Sequence, residues 1–280
     1  MKFRHPFFVC IICVTVIFLP LALTSCRAPV RDGGSESTDS LQSPADKEYN
    51  GQLFFENRRY SYTGEPSDIS ADGDILTLKR SGMYLLSGEL SEGRISVECE
   101  GEVCLVLGGF EGSSSYGSVI ERTDGGSLCL SLPEGTANVL TSVYGGSEGV
   151  LPMGCVRASG ELRILGDGQL TVSAKNACGI VCSDLRIDGG ELIIGCAEYG
   201  IFARNGISAS GSAVTVTHAR VGIYAFGGEF SEGRIEILGG RYTAVCTEVG
   251  IFAEGKLNVS GAEVDIQAPQ LIKKPKTDFY

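Results

Sequence analysis

Basic residues are in deficit: 23 Lys and Arg stand against 34 Asp and Glu, a formal net charge of −11. A surface of that sign repels phosphate, which excludes nucleic acid as a partner. Histidine is nearly absent. One of the two, His5, falls in an N-terminal leader, so His218 alone is left to serve any Ser-His-Asp arrangement. No Gly-rich phosphate loop opens a helix, and no pair of carboxylates stands out for glycoside hydrolysis. Long apolar runs are missing except for Phe7 to Leu23, which Pro20 interrupts. At about 17 residues that run is marginal for crossing a bilayer.

The same run fits a leader. Lys2 and Arg4 precede it, and Leu23-Thr24-Ser25-Cys26 follows. The four residues resemble a bacterial lipobox, whose cysteine is lipidated and becomes the first residue of the mature protein. Residues 1–25 are therefore read as a lipoprotein signal peptide and Cys26 as the lipid anchor. The protein is expected at the cell surface, held to the membrane by acyl chains alone. Residues 26–52, rich in Ser, Asp, Gly and Glu, read as a flexible tether. The folded domain is expected over 53–268. A tail, 269–280, departs from the pattern with Lys273, Lys274 and Lys276, either lying over an acidic face or solvated.

Glycine is what the chain has in plenty. Thirty-nine glycines against nine prolines, with no collagen period, suit a fold of many tight corners. The phrases Gly179-Ile180-Val181-Cys182, Gly200-Ile201-Phe202-Ala203, Gly222-Ile223-Tyr224-Ala225 and Gly250-Ile251-Phe252-Ala253 recur at intervals of 21, 22 and 28 residues. Between them stand two alternating strand signals with a glycine corner, such as Leu185-Arg186-Ile187, Gly189-Gly190 and Leu192-Ile193-Ile194. Three strands in each period of just over twenty residues predict an all-β fold, a single-stranded parallel β-helix. Period-2 alternation puts Leu128/Leu130, Leu162/Ile164, Leu185/Ile187, Ile207, Ile235/Ile237 and Leu257/Val259 inside on the second strand. On the third it puts Val139, Leu170/Val172, Leu192/Ile194, Val214/Val216, Tyr242/Ala244 and Val264/Ile266 inside. Two periods carry excursions, Ser142 to Met153 and Phe226 to Gly233, which in repeat proteins emerge as loops on a binding side.

Ser81-Gly82-Met83-Tyr84-Leu85-Leu86-Ser87-Gly88-Glu89-Leu90 resembles the "GTYVLSGTL" opening of bacterial carbohydrate-binding lipoproteins with a pectate-lyase-like parallel β-helix. Val103-Cys104-Leu105-Val106-Leu107-Gly108-Gly109 resembles their next strand. Leu132 to Thr141 resembles their "LAEGTENTLT" segment. The likeness runs from about Ile69 to Ile266. It implies a right-handed, single-domain β-helix on the cell surface that binds plant-type polysaccharide such as cellulose or pectin, with calcium in some relatives. Those relatives carry Asp-Gly-Ile where this chain has Cys178-Gly179, Tyr199-Gly200, Val221-Gly222 and Val249-Gly250. The usual calcium carboxylates are thus replaced, and calcium remains only what the resemblance allows.

If Ile180, Ile201, Ile223 and Ile251 face inward, the residues after them, Val181, Phe202, Tyr224 and Phe252, face outward. Arg157 falls in the same column one period earlier. An exposed aromatic row stacks on sugar rings, and an arginine bonds hydroxyls or carboxylates. Arg157, Tyr199, Phe202, Tyr224 and Phe252 are accordingly the candidate carbohydrate-binding residues. The competing structural reading has the Phe226–Gly233 loop or the tail covering the row. Cys196, His218 and Cys246 have zinc-like chemistry but lack a fourth ligand, so packing is preferred and no metal is expected. Glu198, Arg220 and Glu248 alternate in sign up the stack as a surface ladder. Eight cysteines follow Cys26. Several, with Cys182 beneath Ala203 as the clearest, read as small core fillers, and Cys99 with Cys104 is the first pair to test for a bridge.

Taken together, the sequence predicts a monomeric, non-catalytic polysaccharide-binding protein with no assigned catalytic residue. The alternatives are a polysaccharide lyase or hydrolase, with Arg157 as the base, or a structural adhesin that meets another protein through the aromatic row.

Overall fold

A computed structural model of the chain describes residues 48–144, 147–148, 151–228 and 231–273. The leader, Cys26, most of the tether and the tail from residue 274 lie outside the described residues. Those described belong to one unit, Gln42–Tyr280. Apart from a single 3-10 turn, Pro66–Asp68, their regular structure is all β. Strands begin at Gly51–Asn57 and end at Gln270–Lys273, slightly beyond both expected domain limits.

The expected single-stranded right-handed β-helix is corrected by the pairing. Twenty-two strands form one hydrogen-bonded sheet, and nine of them close into a parallel barrel with the others outside it. The ring runs Val103–Ser114, Leu128–Leu132, Glu161–Gly166, Cys178–Asp188, Tyr199–Ser210, Ala213–Ala225, Glu191–Cys196, Gln169–Ala174 and Ala137–Ser142, then returns to Val103–Ser114. Three separate strands per period would leave three separate sheets. Here long strands run through the corners instead. Cys178–Asp188 pairs along its first half with Gly154–Ala158 and along its second with Glu161–Gly166. Its corner is a bulge between Cys182 and Asp184, where the register to the next period shifts by one residue. A bulge bends a strand without ending its ladder, so the pairing passes from face to face and closes.

Register within this sheet follows the repeat text. Leu76, Ile95, Ile120, Val156, Ile180, Ile201, Ile223, Ile251 and Ile272 are successive neighbours, one per period. Leu128, Leu162, Leu185, Ile207, Ile235 and Leu257 form a second column, and Leu170, Leu192, Val214, Tyr242 and Val264 a third. Most of these side chains are buried in one continuous core. The gap left among Ile201, Ile223, Ile237 and Tyr242 is only about 10 Å³. That is at most one water's worth of room. Among the described residues the columns fill the ring, so the groups open to a ligand lie on its outer face.

Glycine at the start of each repeated phrase has a steric cause. A Cβ built on Gly179, Gly200 or Gly222 would fall 2.6, 2.5 or 2.4 Å from the carbonyl oxygen of the glycine one period on. Only a residue without a side chain lets successive corners stack at strand spacing. At Gly240, with φ of +75°, a Cβ would also meet Ser212 O at 2.1 Å.

Three inward expectations fail: Val259 and Val264, in the last period, are 39% and 38% exposed because no further strand stacks on theirs among the described residues, and Val139 gives way to its neighbours. Asn138 and Leu140, not Val139, register with Leu170 and Val172. Asn138 is fully buried and uses its whole amide. Its Oδ1 accepts from Gly109 N at 3.0 Å and Phe110 N at 2.8 Å, while Nδ2 donates to Thr136 Oγ1 at 3.2 Å and Gln169 O at 3.1 Å. A polar residue reads as outward in an alternation; these four bonds let it face in.

Candidate functional site

The outward column begins as polar and turns apolar. Thr77, Ser96, Glu121, Arg157, Val181, Phe202, Tyr224, Phe252 and Lys273 are stacked one per period. Arg157 thus shares the aromatic column, as the repeat alignment predicts. Its Nη1 donates to Glu121 Oε1 at 2.7 Å. Arg94 Nη1 donates to the other oxygen, Glu121 Oε2, also at 2.7 Å. Glu121 therefore bridges two guanidinium groups, leaving a local charge of one positive unit. The Arg157 side chain is 12% exposed. Arg94 lies 5.8 Å from the Tyr116 ring centre, and its Nε is buried without a hydrogen-bond partner among the described residues. Arg94, Glu121 and Tyr116 were missed in the sequence, because only the register brings them beside Arg157.

The aromatic row is not an open wall. Phe202 is 9% and Tyr224 8% exposed, and Val181 is fully buried. They form a second apolar cluster with Cys178, Val221 and Val249, against which the partly exposed Tyr199 and Phe252 pack. Ring centres lie 5.4 Å apart for Tyr199–Phe202 and Phe202–Tyr224, 5.3 Å for Tyr199–Tyr224 and 4.6 Å for Tyr224–Phe252. The eight residues are the two that flank each Gly-Ile step, four times over. The corner that the family resemblance associates with aspartate is therefore continuous with the aromatic row. Its residues, Cys178, Tyr199, Val221 and Val249, offer no carboxylate, so this corner does not fit calcium.

Charged groups rim the cluster. Arg220 stands 4.8 Å over the Tyr199 ring and Lys273 Nζ 4.5 Å over Phe252. Tyr224 Oη donates to Glu254 Oε1, and Gly227 N donates to Glu254 Oε2 at 3.1 Å. Burial, and then that bond to Glu254, raise the Tyr224 phenol above its ordinary pKa, so it remains a donor at neutral pH. Phe226, at the start of one excursion, lies edge-on to Tyr224 at 6.2 Å. The loop's first residue thus adjoins the row.

The remaining expectations separate cleanly. The ladder is present: Arg220 bonds Glu198 at 2.9 Å and Glu248 at 3.0 Å. Cys196, His218 and Cys246 do not form a metal site. His218 is exposed while both cysteines are buried in the core, and no metal-ligating cluster occurs among the described residues. Cys182 is fully buried, as a core filler should be. Cys104, by contrast, has Cys129 and not Cys99 as its register partner.

On the same outer surface, Asp184, Asn205, Ser231, Glu232 and Arg234 line an open recess of about 350 Å³. Asn205 Nδ2 donates there to Asp184 Oδ2 at 2.8 Å. The molecule thus offers arginine donors, partly exposed aromatic rings and a polar recess, all on the outer side of the ring.

Comparison with known proteins bears on this surface. The family model for carbohydrate-binding domain-containing proteins matches residues 72–278. A carbohydrate-binding domain-containing protein of Acetivibrio thermocellus is 27% identical over 187 residues, 64% of this chain. The match spans 62% of that relative's own length. Among solved structures, a gadolinium derivative of a polysaccharide lyase-like protein from C. thermocellum superposes with a TM-score of 0.68. It covers 81% of this chain and 98% of its own, at 23% identity, a likeness of fold.

Proposed function

The chain belongs to the family of carbohydrate-binding domain-containing proteins, and from that premise we propose that it binds polysaccharide without cleaving it, along the outward column. The observation that carries this reading is the junction within one column: the Arg94–Glu121–Arg157 group below, the aromatic cluster above. Tyr199 and Phe252 offer partly exposed rings to sugar, rimmed by Arg220 and Lys273, and Phe202 and Tyr224 hold them from beneath. Arg94 and Arg157 supply donors and Glu121 an acceptor for hydroxyls. Groups repeating at about 4.8 Å along a rigid sheet let a long polymer bind through many weak contacts at little ordering cost. The glycan is a plant-type polysaccharide, cellulose or pectin, and Cys26 holds the protein at the cell surface as a lipoprotein.

Pull-down on insoluble cellulose and pectin tests this, comparing wild type with Tyr199→Ala/Phe252→Ala and with Arg157→Ala. Retained binding in all variants removes the column from the proposal. The lyase alternative needs Arg157 as a base, yet its guanidinium is engaged with Glu121. Ultraviolet-absorbing unsaturated product from pectin, lost in Arg157→Ala, would favour that alternative. Loss of the membrane-bound fraction in Cys26→Ser tests the anchor.

A further inference from the structure

Two of the cysteines meet on the outer side of neighbouring strands. Cys104 and Cys129 are direct register partners in the parallel pair Val103–Ser114 and Leu128–Leu132, and their sulfurs lie 2.9 Å apart. They stand in a column between Met83 and Arg163, separate from the core columns. No other cysteine among the described residues has a second sulfur as its hydrogen-bond partner. Cys155, Cys182, Cys196 and Cys246 fill the main core and Cys178 the second cluster.

We propose that Cys104 and Cys129 are a thiol–disulfide site, oxidised in the exported protein to a covalent staple between successive periods. Neighbouring strands lie about 4.8 Å apart, inside the Cα window for a disulfide of roughly 4.4–6.8 Å. Parallel Cβ atoms at that spacing slightly exceed the usual Cβ separation of about 3.5–4.5 Å. The bond therefore closes with the two side chains leaning together, as their sulfurs already do.

The oxidant is a disulfide, either of a dithiol oxidoreductase or of low molecular weight. Half-buried Cys104 is the accessible sulfur; Cys129 is buried. The hydrogen bond shared with the Cys104 sulfur, and then burial, hold the proton on Cys129 and raise its thiol, so Cys129 does not start the exchange. The Cys104 thiolate attacks one oxidant sulfur, forming a mixed disulfide and releasing one thiolate. The Cys129 sulfur then attacks the Cys104 sulfur and expels the second. The two protons from the cysteines end on the two released thiols. Two protein thiols and one disulfide become one protein disulfide and two thiols.

The test uses the purified full-length protein, held with oxidised or with reduced glutathione, then denatured and alkylated. Peptide mass spectrometry counts the blocked cysteines. After oxidation, Cys104 and Cys129 should be protected together, with their peptides linked and 2 Da lighter than the sum of the thiol forms, about one Da for each hydrogen lost in the exchange. Dithiothreitol should restore both alkylation sites. Cys104→Ser should free Cys129 and leave the other cysteines unchanged. Full alkylation of both sulfurs in the oxidised wild type, or a Cys99–Cys104 link in their place, overturns the proposal, and neither result depends on a variant folding.

Discussion

Phe202 and Phe252 share one column and one chemistry, but the structure gives them opposite tasks. Phe202 is 9% exposed, between Tyr199 and Tyr224 at ring distances of 5.4 Å, over fully buried Val181. Full truncation of a core phenylalanine costs about 3–5 kcal/mol. The low end, about 3 kcal/mol, applies to Phe202→Ala, since the ring's edge reaches solvent. For a domain of this size each kcal/mol shifts Tm by about 2–4 °C, so Phe202→Ala should melt about 6–12 °C lower. Phe252 is partly exposed and faces Lys273 at the end of the row. Phe252→Ala loses less buried area and should lower the melting temperature by less than Phe202→Ala does. Binding should reverse the order. Phe252→Ala removes a partly exposed ring, whereas Phe202→Ala removes only support. Thermal denaturation followed by circular dichroism reads the first ranking, and calorimetric titration with soluble cello- or galacturono-oligosaccharides the second. A Phe202→Ala protein that melts with wild type, or one that loses binding while Phe252→Ala keeps it, would refute this division of labour.

Asn138→Ala leaves the Phe110 and Gly109 amides without their acceptor and should destabilise by about 2–4 kcal/mol, read from urea midpoints at constant m-value. Burial raises the Asp124 carboxyl, but bonds from Arg122, Gly126 N and Cys99 N outweigh it and hold its pKa below the ordinary value. A depressed folded pKa means stability that is present above about pH 4 and lost as pH falls through the lower value. Asp124→Asn should therefore flatten that part of the acid limb in a melting series from pH 6 to pH 2. Arg220→Ala breaks both ladder bonds at a cost of no more than about 1 kcal/mol per pair. The wild-type advantage should shrink further in 1 M salt, as screening of exposed charges requires.

Much of the core was legible. Isoleucines after glycine, and alternating Leu, Ile and Val on two further strands, gave correct vertical neighbours because alternation has a short period and the repeats align at their glycines. Val139 shows where that logic ends. Asn138 looks like a surface residue until its four partners, drawn from distant segments, are in place. The aromatic row shows the same limit. Alternation correctly set Phe202 and Tyr224 outside the core, but outside is not exposed. The replaced aspartate corner and the aromatic row looked like two departures in the text, and only the bend at each Gly-Ile step folds them into one cluster.

The sequence by itself determined which residues are vertical neighbours and, for most of them, which face the core, since strand pleat and repeat length are local properties. It also set the net charge of −11. Whether the strands end at the corners or run through them belonged to the tertiary structure. A bulge at Cys182/Asp184 depends on pairing with the neighbouring periods, and with it the sheet closes where separate strands were expected. The same holds for the companions of Arg157 and Cys104. Arg94, Glu121 and Cys129 are 63, 36 and 25 residues away in the chain, brought close only when the periods stack.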